Sequence, residues 1–355
     1  MEKQDKESEN IILFKKIQVK MKNYKYLAIA AAATVLAACS NDENMPGNDP
    51  DSPVELRLTS GINVLSRAYT PTQETQIASG QTVSVWVNDA TATTSWLYEA
   101  NQLTADGSGG FTGGDAMYFP QTGSNVNIYA MHGTFTNAFT QGDAFPAGTS
   151  VPFEVATDQR AATDYQSSDL LYAVANDVDK SGAVNGKKEV TLEFYHMLSK
   201  LELAIEMGVG APVLSSEADA VTLGTVSVTG NFVPSATADM TDQSARAAML
   251  QASGSPSLQT LTLGSEVSDD FTDANIVYNE AIIIPQSMAG CVLTLKLADG
   301  GTMTYTIPQG SEIATFESGK KYQLKVTANL TGLEVKSTVE EWMSGGTTSG
   351  NATLQ

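Results

Sequence analysis

The sequence predicts an all-β protein built as two tandem β-sandwich domains. Short runs of alternating apolar and polar residues recur along the chain, parted by Gly, Asn and Pro turns, and a period of two is the mark of a half-buried strand. Composition agrees: Thr, Val, Ser and Gly are plentiful, charged residues are 17%, and long amphipathic helices are hard to find. The third observation is a change of phase within residues 190–207. Val190, Leu192 and Phe194 put the apolar face on even positions, whereas Leu201, Leu203 and Ile205 put it on odd ones. Such a flip requires an extra residue, a bulge or a passage between sheets, so a structural hinge is expected from His196 to Lys200. Straight, these residues would reach roughly 60 Å, about three times an ordinary strand, so two strands of two domains are expected to meet there. A chain of 355 residues is long enough for two cores.

Taken in order, residues 1–38 read as an N-terminal extension and a lipoprotein signal peptide. Residues 1–20 are charged and aperiodic, and Met21 is the better start. Lys22 and Lys25 precede a short apolar run, Tyr26 to Val35, and a lipobox, Leu36-Ala-Ala-Cys39. The run is too short to span a bilayer and has small residues before the cut. The expected mature chain begins at diacylated Cys39, held to a membrane by its acyl chains. Residues 39–53, rich in Asn, Asp, Gly and Pro, form a tether.

The formal charge is −20, and beyond residue 38 the chain carries 13 basic against 36 acidic residues. Nucleic acid is excluded as a partner, because its phosphates require a basic stripe. With Cys39 acylated, Cys291 has no disulfide partner and is expected to be a small buried hydrophobe.

Val54-Glu-Leu-Arg-Leu58 alternates cleanly, and Ile62 and Val64 continue its phase towards Arg67. Strands follow at 82–87, 96–98, 115–120, 125–131 and 151–155, with a Gly-rich turn at 106–110. After the hinge, strands are expected at 221–228 with a Gly interruption, 258–263, 281–286, 292–297, 302–307, 323–328 and 339–342. Asp299-Gly-Gly301 makes a hairpin turn. Thr241 to Ala252 is expected to form a short helix capped by Thr241 or Asp242 and stopped by Gly254.

No constellation for catalysis emerges. The two histidines, His132 and His196, set a low ceiling for acid/base or metal chemistry, and His196 at the phase flip is expected to satisfy backbone groups freed by a bulge. Asp177-Val-Asp-Lys-Ser-Gly182 begins like a calcium loop, but its twelfth position is Lys188 where a bidentate Glu is needed. Ser318-Gly-Lys-Lys321 satisfies S-x-x-K without the companion motifs. No Gly-rich phosphate loop opens a helix. The expectation is a protein with no catalytic residues, no metal and no cofactor.

The run Phe194-Tyr-His-Met-Leu-Ser-Lys-Leu-Glu-Leu203 resembles the F-x-H-x-L-S-K segment of fimbrillins, lipoprotein pilins of Bacteroides-type bacteria. Further matches keep the family's order: "Y-F-P" at 118–120, "S-D-L-L-Y-A" at 168–173, "I-I-P-Q" at 283–286, "F-x-x-G-K-x-Y-x-L-x-V" at 316–326 and a final "V-x-x-W" at 339–342. The resemblance implies transthyretin-like sandwiches at about 54–187 and 188–345, with a tail at 346–355. It implies a protease cut after the first strand, for which Arg67, twenty-eight residues past Cys39, is the first candidate and Arg57 the second. It also implies lipid anchoring in the outer membrane, exposure at the surface, and polymerisation with other pilin subunits by strand exchange in support of adhesion, with a host surface ligand as a further partner. The donor segment would be the free end beyond Trp342 or a rearranged preceding strand, Leu333 to Val339. A non-polymerising surface lipoprotein, either a pilus anchor or a glycan- or peptide-binding module, is the alternative.

Overall fold

The computed structural model describes residues 52–62, 76–252, 258–266, 276–329 and 332–342. Strands dominate them. In chain order they are β1 (Glu55–Ile62), β2 (Thr82–Asp89), β3 (Ala92–Ala105), β4 (Phe111–Thr112), β5 (Met117–Tyr118), β6 (Val126–His132) and β7 (Val151–Glu154). The short helix α1 (Ala162–Ser168), β8 (Leu171–Val178) and β9 (Lys187–His196) lead to the hinge region. Beyond it lie β10 (Ser199–Met207), β11 (Val221–Ser227), β12 (Thr229–Phe232), α2 (Gln243–Ala248), β13 (Leu250–Ala252), β14 (Leu258–Thr262) and β15 (Gly264–Glu266). β16 (Ile276–Ile283), β17 (Val292–Lys296), β18 (Thr302–Thr306), β19 (Lys320–Asn329) and β20 (Gly332–Glu341) complete the set.

The first half forms an eight-stranded sheet in the order β4-β3-β2-β6-β8-β9-β1-β5. β4 and β5 stand at opposite ends of that order, yet only Gly113–Ala116 separate them, so the sheet must roll round on itself. The seam shows directly: Thr59 of β1 bridges Gly110, and the Ser60 N–H donates to the Gly109 carbonyl at 2.7 Å. Leu56, Leu58, Ile62, Val83, Val85, Val87, Ile128, Leu192 and Phe194 fill the interior. Alternate residues of the central strands, among them Trp86, Tyr129 and Tyr172, point the other way into a second core.

That second core belongs mainly to a sandwich of a five-stranded sheet, β15-β16-β10-β19-β20, and a four-stranded sheet, β14-β11-β17-β18. Leu201, Leu203 and Ile205 of β10 meet Leu223, Leu293 and Leu295 of the facing sheet. Strand pairing crosses position 187 in both directions. β7 pairs with β12, and β9 stays with the rolled sheet through the His196–Leu171 pair. The Gln159 amide also docks on β16, accepting from the Ile282 N–H at 2.7 Å and donating to its carbonyl at 2.9 Å.

The chain leaves the rolled sheet at His196 and enters the five-stranded sheet at Ser199, with Met197 and Leu198 buried between. The even-numbered apolar side chains of β9 thus face one core and the odd-numbered ones of β10 the other. The Gly interruption of β11 is a register shift between Leu223 and Val226, with Thr225 at φ 63°. The helix expected over 241–252 is shorter. α2 is capped by the Asp242 carboxylate, which accepts from the Ser244 N–H at 2.8 Å, and it gives way at Leu250 because β13 pairs with β12.

Candidate functional site

β1 holds the feature with the clearest capacity to act. Its inward residues, Leu56, Leu58, Ser60 and Ile62, are 2%, 7%, 7% and 6% exposed, while Arg57, Thr59 and Gly61 alternate outwards. On one side it runs parallel to β9 for its whole length, from Glu55 opposite Lys187 to Ile62 opposite Phe194. On the other side its partners are short: β5 at Glu55 and Leu56, and Gly110 at Thr59. Between those contacts lies a cleft of about 470 Å³, lined by Arg57, Leu58, Gly113, Gly114 and Met117 among others. Gly114 has φ 70°, and a Cβ there would lie 2.6 Å from Asn101 Oδ1, so only glycine lets the β4–β5 connection pass at this distance.

Three apolar side chains buried by β1 contribute about 5–9 kcal/mol together, at about 1.5–3 kcal/mol each. That is a large part of a typical domain's stability of about 5–15 kcal/mol. Removal of β1 would open a groove between β9 and β5 whose floor is apolar and whose walls offer backbone hydrogen bonds. An extended segment is what such a groove accepts.

A family model described as fimbrillin-like matches residues 66–342. The chain belongs to the fimbrillin-like family. Fim1C of Bacteroides uniformis, a candidate fimbrium subunit, is 26% identical over 347 residues, covering 94% of this chain and all of that protein. Crystal structures of candidate cell adhesion proteins from Bacteroides ovatus and Bacteroides uniformis share the fold. The first has a TM-score of 0.57 at 17% identity, covering 83% of this chain and 99% of that one. The second has a TM-score of 0.55 at 20% identity, covering 82% and 99%.

In this fimbrillin-like chain Arg57 lies inside β1, its half-exposed guanidinium paired with Glu55 at 3.0 Å, and its backbone is part of the sheet. Cys39 and Arg67 lie outside the described residues, as does the tail from 343 onwards. His196 and Lys200 are both buried at the passage between sheets. His196 Nδ1 lies 3.0 Å from the Asp169 carboxylate, not on a freed backbone group, and its ring stacks on Trp342 at 3.7 Å and 12°. Lys200 sits between Glu202 at 2.9 Å and Glu280 at 3.0 Å. Burial pushes the Glu202 carboxyl up, but Lys200 and Lys321 outweigh it and hold the group below its ordinary range.

The other candidates are occupied structurally. His132 places Nδ1 2.9 Å from the Thr82 carbonyl and Nε2 3.1 Å from that of Gln166. In the calcium-like loop the Lys188 ammonium donates to the Ser181 carbonyl at 2.6 Å, so the loop carries its own cation. Ser318 donates to the Met197 carbonyl at 2.7 Å, and Lys321 pairs with Glu202 and Glu340. Burial pushes the Cys291 thiol up. Among the described residues no three His, Cys, Asp or Glu side chains gather to hold a metal.

Sequence reasoning did not pair His196 with Asp169 and Trp342, although all three stood inside motifs already singled out. Nor did it find Arg246. This buried side chain donates from Nη1 to the Met240 carbonyl at 2.6 Å and lies over the Tyr195 ring at 5.5 Å. A charged residue on a short helix carries no sequence signal that its side chain will turn inward.

Proposed function

We propose that the protein is a structural subunit of a surface fimbria, made as an outer-membrane lipoprotein and assembled by strand exchange in support of cell adhesion. The observation that carries this reading is β1: a first strand that supplies much of one core, lies beside an open cleft and precedes a run ending in Arg67. Cleavage after Arg67 frees β1 from the rest of the chain, and its seat is then refilled by a segment of a neighbouring subunit. Arg57 serves less well as the cut, because its backbone is paired to β9 within the sheet and a protease needs its substrate extended and free of a sheet. The acyl chains on Cys39 hold the precursor at the membrane until the cut detaches it. The donor is either the end beyond Trp342 or the stretch from Leu333 to Val339.

The test compares the wild type, an Arg67→Ala, Arg57→Ala double variant and a chain lacking residues 346–355, each treated with a trypsin-like protease and sized by gel filtration. The wild type should form high-mass species and the double variant should remain monomeric. Polymer from the double variant would sink the mechanism, and polymer from the shortened chain would assign the donor to the earlier stretch.

A further inference from the structure

A sheet edge that is long, flat and uncharged pairs with another chain unless something guards it. Among the described residues most edges of this fold are guarded. The rolled sheet closes on its own seam, β13 and β15 are three residues long, and Phe135 bridges β7. β20 carries Glu334, Lys336, Glu340 and Glu341. The segment 157–159 covers β14: the Thr262 N–H donates to the Thr157 carbonyl at 2.8 Å, and the Thr262 carbonyl accepts from the Gln159 N–H at 3.0 Å. β18 differs. It ends the four-stranded sheet, pairs there with β17 alone, and reads Thr302-Met-Thr-Tyr-Thr306, with no charge, no proline and no bulge.

The ladder to β17 decides which backbone groups of β18 stay open. The Leu297 N–H donates to the Gly301 carbonyl at 2.8 Å, and the Ile307 N–H to that of Cys291 at 2.9 Å. In an antiparallel pair such bonds fall on alternate residues, so Met303 and Tyr305 bond to β17 while Thr302, Thr304 and Thr306 turn their N–H and C=O groups to the free edge. The side chains are sorted as well. Thr262, Thr222, Thr294 and Thr304 pair in one row across all four strands, on the face opposite the buried Leu223, Leu293 and Leu295. Lys296, the charged residue opposite Thr302, is neutralised by Asp219. In a chain of formal charge −20, this edge is one that two copies can share without repulsion.

We propose that β18 is a joint between two copies of this chain, paired antiparallel about a two-fold axis at Thr304. The order T-M-T-Y-T is what makes the edge self-complementary, as a two-fold contact requires. Thr304 meets Thr304 of the second copy, Thr302 meets its Thr306, and Met303 meets its Tyr305. Every threonine pair then exchanges both backbone bonds, and the Met303 thioether lies against the Tyr305 ring. The threonine row runs on into that of the second copy, and two four-stranded sheets become one. Neighbouring registers lose an end. A shift towards the hairpin pairs Thr306 with Gly300, which sits in the turn at φ 87°, and a shift the other way pairs Thr302 with Pro308, which has no N–H to give.

The experiment uses the full chain with Cys39→Ser and β1 uncut, which keeps its outcome separate from strand exchange. Sedimentation is followed from about 1 μM to about 1 mM protein. The wild type should dimerise within that range. Thr304→Lys, which sets two ammonium groups face to face on the axis, should weaken the dimer by about tenfold or more. Thr222→Lys, on the same face but two strands from the edge, should leave it unchanged. Under mild oxidation Thr304→Cys should couple to a second copy about tenfold faster than Thr302→Cys or more. Directly paired Cα atoms stand about 5.5 Å apart, within disulfide reach, whereas the two positions 302 are offset along the strands by about 13 Å. A wild type that stays monomeric throughout, or equal coupling at 302 and 304, would overturn the joint. Loss of the dimer in Thr222→Lys would overturn it too, because the contact would then lie on the threonine face and not on the edge.

Discussion

At the scale of single residues, the passage between sheets is fastened by contacts that no one stretch of sequence contains. Trp342 is 3% exposed, donates its backbone N–H to the Gly319 carbonyl and stacks its ring on His196, which Asp169 holds from the other side. Loss of a buried Trp ring costs about 3–5 kcal/mol. Trp342→Ala should lower the urea midpoint accordingly and speed amide exchange in β20 before the rolled sheet is affected. The Lys200 cluster sets a pH dependence. Because the folded Glu202 carboxyl lies below its unfolded value, its contribution is present above the unfolded pKa and fades as pH falls through the folded one. Glu202→Gln should therefore destabilise the protein near neutrality, and the gap to the wild type should close in acid; urea titrations at about pH 7 and about pH 3 read it. His196 and Lys200 could be singled out from the phase flip alone. Their partners could not, because Asp169, Glu280 and Trp342 are distant in the chain and meet only through the fold.

At the scale of elements, β1 and β20 are contrasting strands. β1 fully buries its alternate side chains beside the seam of the rolled sheet, whereas β20 is an edge with a half-buried inner face. Leu58→Ala should cost about 2–5 kcal/mol and Arg57→Ala less than about 0.5 kcal/mol, since one removes core volume and the other an exposed ion pair. Thermal unfolding of the two single variants measures the contrast. Gly114→Ala should destabilise by more than about 1 kcal/mol, while Gly123→Ala, also at positive φ but facing open space, pays the backbone cost alone. Most strands were legible because their period-two runs are bounded by turn residues, as in 82–87 and 292–297. The end of the short helix was not, because β12 captures Leu250 by a long-range ladder. Leu333–Val339 and Val339–Trp342 were each legible as strand, but their union in one ten-residue edge strand was not, since Glu334, Lys336, Glu340 and Glu341 blur the period-two pattern.

At the scale of the whole molecule, the all-β architecture followed from local pattern, but the rolling of the first sheet did not. It depends on a four-residue link between strands at opposite ends of the order, which only Gly113 and Gly114 permit. The parallel pairing of β1 with β9, 132 positions apart, is equally invisible to periodicity. Under the proposed function, that ladder is the one a neighbouring subunit's segment re-forms once β1 is cut away. The most direct measurement of this account is the intact mass and N-terminal sequence of the subunit isolated from assembled fimbriae. The account predicts a chain that starts at Ala68 and lacks Glu55–Ile62. Subunits that retain β1 within the fibre would contradict it.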